Sequence, residues 1–344
     1  MGSTNQPDET SFPIIDVSQI EEPAFQFHIA RQITEACSTW GFLLIKNHPI
    51  PSSDINNIFS LEKQFFDLPE AEKDPWPITS RSIGYIGPLK DRNKDDKASM
   101  WFGGPPCSLS PDQYQASLPP FWHQHVEQIQ EFKSKCHALV LKLLVCFAIA
   151  MDLPDRNYFA DKHQESNSRG NQLRLLMYPS RSSSSSPVSP HPHPSGTRMI
   201  AHTDSDSVTL LFQRSAGLEV LSPSGSWVKA PCLEDTILIN LGDALAFWSG
   251  RRLRATLHRV TFESVPSESE RQSMAYFCAA NPETVLEPLS GAEEVEGYET
   301  NGIVLERGIT VGELSRRIME GIYGSGIKKE EDVRVENARK IVAV

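Results

Sequence analysis

Three residues far apart in the chain have the types and spacing of a metal site: His202 and Asp204 in Ala201-His202-Thr203-Asp204, and His258 in Leu257-His258-Arg259-Val260. The residues beside both segments have strand character, Val208-Thr209-Leu210-Leu211-Phe212 after the first and Arg259-Val260-Thr261-Phe262 at the second. Side chains on a strand alternate between faces, so His202 and Asp204 are expected to point the same way and grip one ion as a pair, with His258 arriving from another strand. Two imidazoles and one carboxylate on one side of an ion leave the opposite positions open, a geometry suited to Fe(II) that must also bind a cosubstrate and O2. His-x-Asp alone is a weak signal, because a lone histidine is more often structural than a ligand and the chain has 10. His191 and His193 show this: they alternate with prolines in a Ser-rich stretch and have no fixed geometry for a metal. Asp206 is the competing carboxylate, but Ser205 and Ser207 on either side of it favour a turn.

A second constellation is Arg271-Gln272-Ser273, which opens the last predicted strand and puts Arg271 and Ser273 on one face. A guanidinium beside a hydroxyl makes a receptor for a carboxylate. The other reading is a surface arginine following Glu268 and Glu270. Tyr178, at the end of Leu175-Leu176-Met177-Tyr178-Pro179, supplies a phenol for the same anion, although alone it would read as a core tyrosine. Tyr85, Trp101 and Phe102 in the Pro- and Gly-rich stretch 74–122, with Phe277, are candidate substrate contacts. An aromatic lining suits a mostly apolar organic metabolite, and the same rings could equally close the edge of a core.

The elements that must position these residues divide the chain into regions. Residues 1–11 read as a flexible tail. Residues 12–168 begin with a short strand at Phe12-Pro13-Ile14-Ile15-Asp16-Val17, whose proline suits a sheet edge. Helical spacing follows from Pro23 to before Gly41, then an apolar strand at Gly41–His48, a helix over 54–66, long structured loops over 74–122, and the longest helix over 121–152. After Gly170 short runs punctuated by turns take over: 173–178, 199–202, 208–212, 218–221, 226–229, 236–240, 244–248, 257–262 and 273–279. Such spacing indicates an antiparallel sandwich or barrel, and residues 169–285 are taken as the catalytic core. The Ser/Pro/His-rich segment 180–197 reads as a surface loop, and 286–344 as a helical extension with a helix at 310–323.

Composition narrows the function classes. A net charge of -11 argues against nucleic acid or an anionic membrane as partner. The sequence has no apolar run of the roughly 20 residues needed to span a bilayer, so a cytoplasmic protein is expected. Six cysteines without a close pair read as buried or idle thiols.

With these segments in order, the chain resembles the iron(II)- and 2-oxoglutarate-dependent dioxygenases of the isopenicillin N synthase-like superfamily. The similarity runs over roughly residues 12–290, through Phe12–Asp16, Trp40–His48, Phe65–Pro69, His202-Thr203-Asp204, Gly217-Leu218-Glu219-Val220, Asn240-Leu241-Gly242-Asp243-Ala244, His258-Arg259-Val260 and Arg271-Gln272-Ser273. The resemblance implies an α+β, mainly β fold, a double-stranded β-helix (jelly-roll) core with N-terminal helices packed against it. It implies that His202, Asp204 and His258 bind Fe(II), and that Arg271, Ser273 and Tyr178 hold 2-oxoglutarate. The family's Asn-Tyr-Tyr-Pro is Leu176-Met177-Tyr178-Pro179 here, which removes an asparagine, and Asn-His-Gly is Asn47-His48-Pro49.

The implied activity oxidises an unactivated C–H bond of a small organic substrate, of the kind found in secondary metabolism, with O2. It releases succinate and CO2, with ascorbate as an accessory reductant. Hydroxylation is the default outcome; desaturation, epoxidation, ring closure and ring expansion use the same chemistry. The expected protein is a monomer or weak dimer. Three alternatives stay open at this level: a 2-oxoglutarate-independent oxidase like isopenicillin N synthase, a non-catalytic metal- or ligand-binding barrel, and a zinc hydrolase, for which no added general base is evident.

Overall fold

A computed structural model describes residues 12–91, 95–104, 110–165, 170–180, 196–289, 295–300 and 302–323. The tail 1–11, most of the Ser/Pro/His-rich segment with His191 and His193, Cys107, and residues 324–344 lie outside the described residues. Helices α1 (Pro23–Thr39) and α2 (Ser52–Phe66) follow strands β1 (Ile14–Asp16) and β2 (Phe42–Lys46) respectively, and α3 is a single turn, Glu70–Lys73. The stretch expected to be loops instead contains β3 (Ile83–Ile86), β4 (Ala98–Phe102) and α4 (Pro111–Ala116). Helix α5 (Val126–Ala150) is the longest and enters through a 3-10 turn at Pro120–His125. Then come β5 (Gln172–Tyr178), β6 (Thr197–His202), β7 (Val208–Gln213), β8 (Leu218–Leu221), β9 (Trp227–Lys229) and β10 (Thr236–Leu241). They are followed by α6 (Asp243–Trp248), β11 (His258–Thr261), β12 (Arg271–Cys278), β13 (Glu299–Thr300), β14 (Ile303–Val304) and α7 (Val311–Tyr323).

The run 244–248, expected as a strand, is helix α6. Every residue of it is buried, and a short continuous apolar run carries no periodicity to separate the two conformations. Gly242 precedes it with extended backbone, and Trp248 at its end packs edge-on against Phe159 at 5.0 Å. Among the described residues no helix is long and apolar enough to cross a membrane.

Eight strands form the larger sheet, in the order β1-β2-β10-β7-β12-β5-β4-β3, and four form a smaller one, β6-β11-β8-β9. Strands β1 and β2 run parallel at the sheet's edge, where Pro13 precedes the strand. All four strands of the N-terminal half, β1 to β4, join the larger sheet, so that half is woven into the sheet that carries Arg271 and Ser273.

Strand alternation separates two cores. On one face Leu43, Ile45, Leu210, Phe212, Leu175, Met274 and Tyr276 pack against α1, α2 and α5 in the larger core. On the other, Phe42, Leu44, Leu211, Leu238, Ala275 and Tyr178 meet Met199, Leu218, Val220 and Val260 of the smaller sheet. This is the face-to-face arrangement of a jelly roll. The register lays the inner face out in rows. Tyr178 stands opposite Arg271, Leu176 opposite Ser273 and then Gln213, Trp101 opposite Arg174 and then Ala275, and Phe277 opposite Thr209 and then Asn240.

Candidate active site

His202 ends β6 and His258 begins β11, and the two are direct partners across that antiparallel pair. Asp204 is not on a strand. The strand stops at His202, and Asp204 stands in the connection to β7, so the shared direction expected from strand alternation is achieved by a turn. One ligand atom from each of the three residues lies within 4.8 Å of the others. Asp204 Oδ1 is 3.9 Å from His202 Nε2 and 3.8 Å from His258 Nε2, and the imidazole centroids are 4.3 Å apart.

The surroundings aim these atoms. His202 Nδ1 lies 2.9 Å from the Ile200 carbonyl and His258 Nδ1 3.2 Å from that of Thr256. A carbonyl only accepts, so each Nδ1 carries the proton and each Nε2 keeps its lone pair for a metal. Phe42 stands edge-on to the His258 ring at 5.5 Å. Asp204 Oδ2 accepts from Thr209 Oγ1 at 2.8 Å and from Asn240 Nδ2 at 2.6 Å, which leaves Oδ1 facing the imidazoles. The turn itself is tied from behind: Asp243 N donates to Asp204 O at 2.8 Å, and Thr203 Oγ1 donates to Asp243 Oδ2 at 2.6 Å. A Cβ on Gly242 would meet Asp206 O at 2.1 Å, so only glycine lets α6 approach the turn this closely.

Electrostatics fit a cation. Burial, reinforced by His258, lowers His202 to about 4, so it is a neutral donor at physiological pH. Burial alone would raise Asp204, but the two imidazoles and the bonds from Asn240 and Thr209 outweigh it and hold the carboxyl below its usual range. Two nitrogen donors and one anionic oxygen converging with no bond to one another are the donor set expected for a borderline metal such as Fe(II). Asp206, the competing carboxylate, is outside this group.

Along the inner face from the triad, Arg271 is 2% exposed. Its Nη1 donates to Ser273 Oγ at 3.1 Å and its Nη2 to Gln213 Oε1 at 3.1 Å, with the Tyr178 ring 5.2 Å from the guanidinium carbon. The strand geometry thus brings Arg271, Ser273 and Tyr178 together. Gly217 makes room: a Cβ there would meet Val265 Cγ2 at 2.3 Å and Arg271 Cδ at 2.9 Å.

Of the aromatic candidates, Trp101 and Phe277 lie on the inner face, on either side of Arg174, whose guanidinium carbon is 3.7 Å and 4.4 Å from their ring centroids. Tyr85 and Phe102 do not reach it. Tyr85 donates to Glu70 Oε2 at 3.0 Å, and Phe102 packs edge-on to Trp122 at 4.8 Å, both in the helix-side core. The reason is alternation: Trp101 and Phe102 are adjacent on β4, so only one can face the site.

Sequence reasoning missed the roles of Thr209, Asn240, Gln213 and Arg174. The available signal was a polar residue at an inward position of an otherwise apolar strand, as Thr209 and Gln213 are in Val208–Gln213.

A jelly roll with two imidazoles from the smaller sheet, a carboxylate from the connection that follows β6, and an arginine–serine pair on the facing sheet defines a non-haem iron oxygenase. The comparisons with known proteins agree. Residues 170–280 match the 2OG-Fe(II) oxygenase superfamily model, and residues 12–125 match the model described as non-haem dioxygenase in morphine synthesis N-terminal. The chain is 34% identical over 292 residues to the proline hydroxylase buaE of Petromyces alliaceus, covering 78% of this chain and 87% of the relative. It is 29% identical over 291 residues to gibberellin 3-beta-dioxygenase 2 of Arabidopsis thaliana, covering 83% and 78%. The crystal structure of a full-length Neurospora crassa protein in complex with alpha-KG superposes with a TM-score of 0.73 at 28% identity, covering 91% of this chain and 97% of that one. The same Neurospora protein has been solved with alpha-KG and thymine.

The chain belongs to the 2OG-Fe(II) oxygenase superfamily. It is an Fe(II)- and 2-oxoglutarate-dependent dioxygenase.

Proposed function

We propose that the enzyme oxidises a C–H bond of a small organic metabolite, with hydroxylation as the default outcome: substrate, O2 and 2-oxoglutarate yield hydroxylated product, succinate and CO2. The observation that carries this reading is that the smaller sheet and the connection after β6 bring a three-donor set together, while β12 of the facing sheet carries a buried guanidinium with a hydroxyl beside it. His202, Asp204 and His258 would hold iron, which when bound supplies the oxygen chemistry and chelation of the cosubstrate. Arg271 and Ser273 receive the far carboxylate of 2-oxoglutarate, and Gln213 holds the guanidinium by accepting from its Nη2. Tyr178, 1% exposed, closes the opposite side of that pocket. Thr209 and Asn240 hold the Asp204 carboxylate in one orientation, and the apolar packing of Leu211, Leu238 and Val220 keeps bulk water from the wall behind the reacting centre.

Trp101 and Phe277 line the space a substrate would enter. Two relatives are named for or crystallised with small cyclic molecules, proline and thymine, which supports a compact organic substrate for this chain as well.

The test is an anaerobic titration of the Fe(II)-loaded protein with 2-oxoglutarate, following the visible charge-transfer absorption, and then succinate measured against product under O2. The expected result is a band in the wild type, none in His258→Ala, and an Arg271→Ala variant that needs far more 2-oxoglutarate. Product formed without succinate would sink the reading in favour of a 2-oxoglutarate-independent oxidase.

A further inference from the structure

Strand β6 ends at His202 and is the outer strand of the smaller sheet, whose order is β6-β11-β8-β9. It does not run evenly along β11. Thr261 pairs with Thr197, Val260 with Met199 and His258 with His202, so β6 advances by five residues while β11 advances by three. Two residues of β6 are therefore extra: Arg198, and one of the pair Ile200 and Ala201. Bulges of this kind bend a strand and re-aim the side chain that follows, here the ligand His202. A bulged strand at a sheet edge also presents backbone groups that need partners from outside the ladder. The segment that leads into β4 supplies them. Asp96 N donates to the Arg198 carbonyl at 2.7 Å, and Asp95 Oδ1 accepts from Ile200 N at 3.1 Å. The Asp95 carbonyl is already engaged by Leu89 N at 2.8 Å, so the acceptor it offers to β6 is the side chain.

Asp95 is buried and held on every side. Its Oδ2 takes the ammonium of Lys97, and its backbone N donates to Asp91 Oδ1 at 2.8 Å. Beside it the fully buried pair Arg198 and Asp96 locks the segment to the strand, with Arg198 Nε donating to Asp96 Oδ2 at 3.0 Å and Nη2 to Pro179 O at 2.6 Å. Ile200 is the joint between this anchor and the metal site: its N–H goes to Asp95, and its carbonyl lies 2.9 Å from His202 Nδ1, which donates to it. Only two torsions separate the N–H from the carbonyl of one residue, so holding the first limits the direction of the second. A carboxylate acceptor makes that hold about twice as strong as a neutral one. His202 has more need of it than His258, since its side chain is 30% exposed against 8%, and β11 is flanked by strands on both sides.

We propose that Asp95 is a positioning residue of the iron site: through Ile200 it fixes the direction in which His202 presents Nε2, and it ties the N-terminal region to the metal centre. This rests on the reading of His202 as an iron ligand. The ion pairs of Lys97 and Arg198 dock the segment, but the bond that leads to His202 is the one accepted by Asp95 Oδ1. The acceptor, not the charge, is what the metal site uses.

The experiment compares the full-length wild type with Asp95→Ala, the double variant Asp95→Asn/Lys97→Met, and His202→Ala. Two quantities are read: Fe(II) affinity by anaerobic competition, and the visible ligand-field bands of the Co(II)-loaded proteins, which report the geometry of the ligands. Asp95→Ala removes the acceptor and should weaken Fe(II) binding about tenfold and change the Co(II) bands. The double variant keeps an amide oxygen for Ile200 N and removes both charges of the ion pair, so its affinity and bands should match the wild type. Wild-type affinity and bands in Asp95→Ala overturn the proposal. So does a double variant as weak as Asp95→Ala, which would assign the effect to docking of the segment by its ion pair. Should Asp95→Ala fail to fold, the double variant decides alone, retention supporting the proposal and loss overturning it. His202→Ala tests the underlying reading separately: Fe(II) bound as tightly as by the wild type would remove His202 from the site and the proposal with it, whereas weak binding there leaves the oxygenase reading standing whatever the Asp95 variants do.

Discussion

Asn240 donates to Asp204 Oδ2 at 2.6 Å, and with the Thr209 bond to the same atom it decides which carboxylate oxygen is left for iron. The two donors come from neighbouring strands, in register, Asn240 opposite Thr209. A carboxylate held by one oxygen presents the other without a rotational search. Asn240→Ala should therefore weaken Fe(II) binding by about 10–100-fold, the range typical of such supporting bonds. Competitive metal titration checks it, with Arg271→Ala as the control that retains iron affinity. An unchanged dissociation constant would show that Thr209 and the turn backbone suffice to orient Asp204.

Gly217 serves the other end of the wall. Its φ is +145°, and a Cβ would press on Val265 and on Arg271 Cδ and Nε. Gly217→Ala must move the guanidinium or bend the approach to β8. The expected result is a KM for 2-oxoglutarate raised roughly tenfold, corresponding to about 1.4 kcal/mol, with iron affinity as in the wild type. Steady-state kinetics at varied cosubstrate, beside a metal titration, separates the two. Iron affinity falling in parallel would mean that the strain spreads to β11.

What the chain discloses before folding depends on whether chemistry and period coincide. Arg271 and Ser273 were legible because they sit two apart on a real strand. The pairing of His202 and Asp204 was legible from residue type, although its geometry was not: β6 ends between them. Trp101 and Phe102 show why substrate contacts were harder to read. The 74–122 stretch, rich in proline and glycine, hides strands β3 and β4, and a shift of one residue exchanges the inner face for the outer. Asp206 was weighed as a rival ligand, and the structure leaves it outside the donor set.

Glu62, on the buried side of α2, has both carboxylate oxygens without a partner. Burial pushes its carboxyl well above the ordinary range, against the opposing pull of Arg214 and Arg271. A carboxyl raised by folding contributes its stability below the unfolded value near 4.5 and loses it as pH rises through the folded value. Glu62→Gln keeps the shape and removes the charge. It should unfold at a higher urea concentration than the wild type at pH 8 and at about the same concentration at pH 4. A variant no more stable at pH 8 would show that the ionised form is accommodated after all.

His163 connects the helical side of the molecule to the metal turn. Its Nε2 lies 2.8 Å from Ser207 Oγ, its Nδ1 2.7 Å from the Phe159 carbonyl, and its ring stacks on Trp248 at 6.2 Å. The carbonyl fixes the proton on Nδ1, so Nε2 accepts from the serine hydroxyl, and the pair anchors the residue three positions after Asp204. Complete burial lowers this imidazole from 6.5 to about 4. For a histidine depressed in the folded state, the unfolded chain takes up the proton first. Stability is then complete above pH 6.5 and drains away as pH falls towards 4, by about 3 kcal/mol for a shift of this size. Protonation also converts Nε2 from acceptor to donor and forces the Ser207 hydroxyl to turn away, which loosens the turn that carries Asp204. Urea midpoints of the metal-free protein between pH 8 and 4 should fall more steeply in the wild type than in His163→Phe, with the difference confined to that window. Curves that stay parallel would place the acid sensitivity elsewhere.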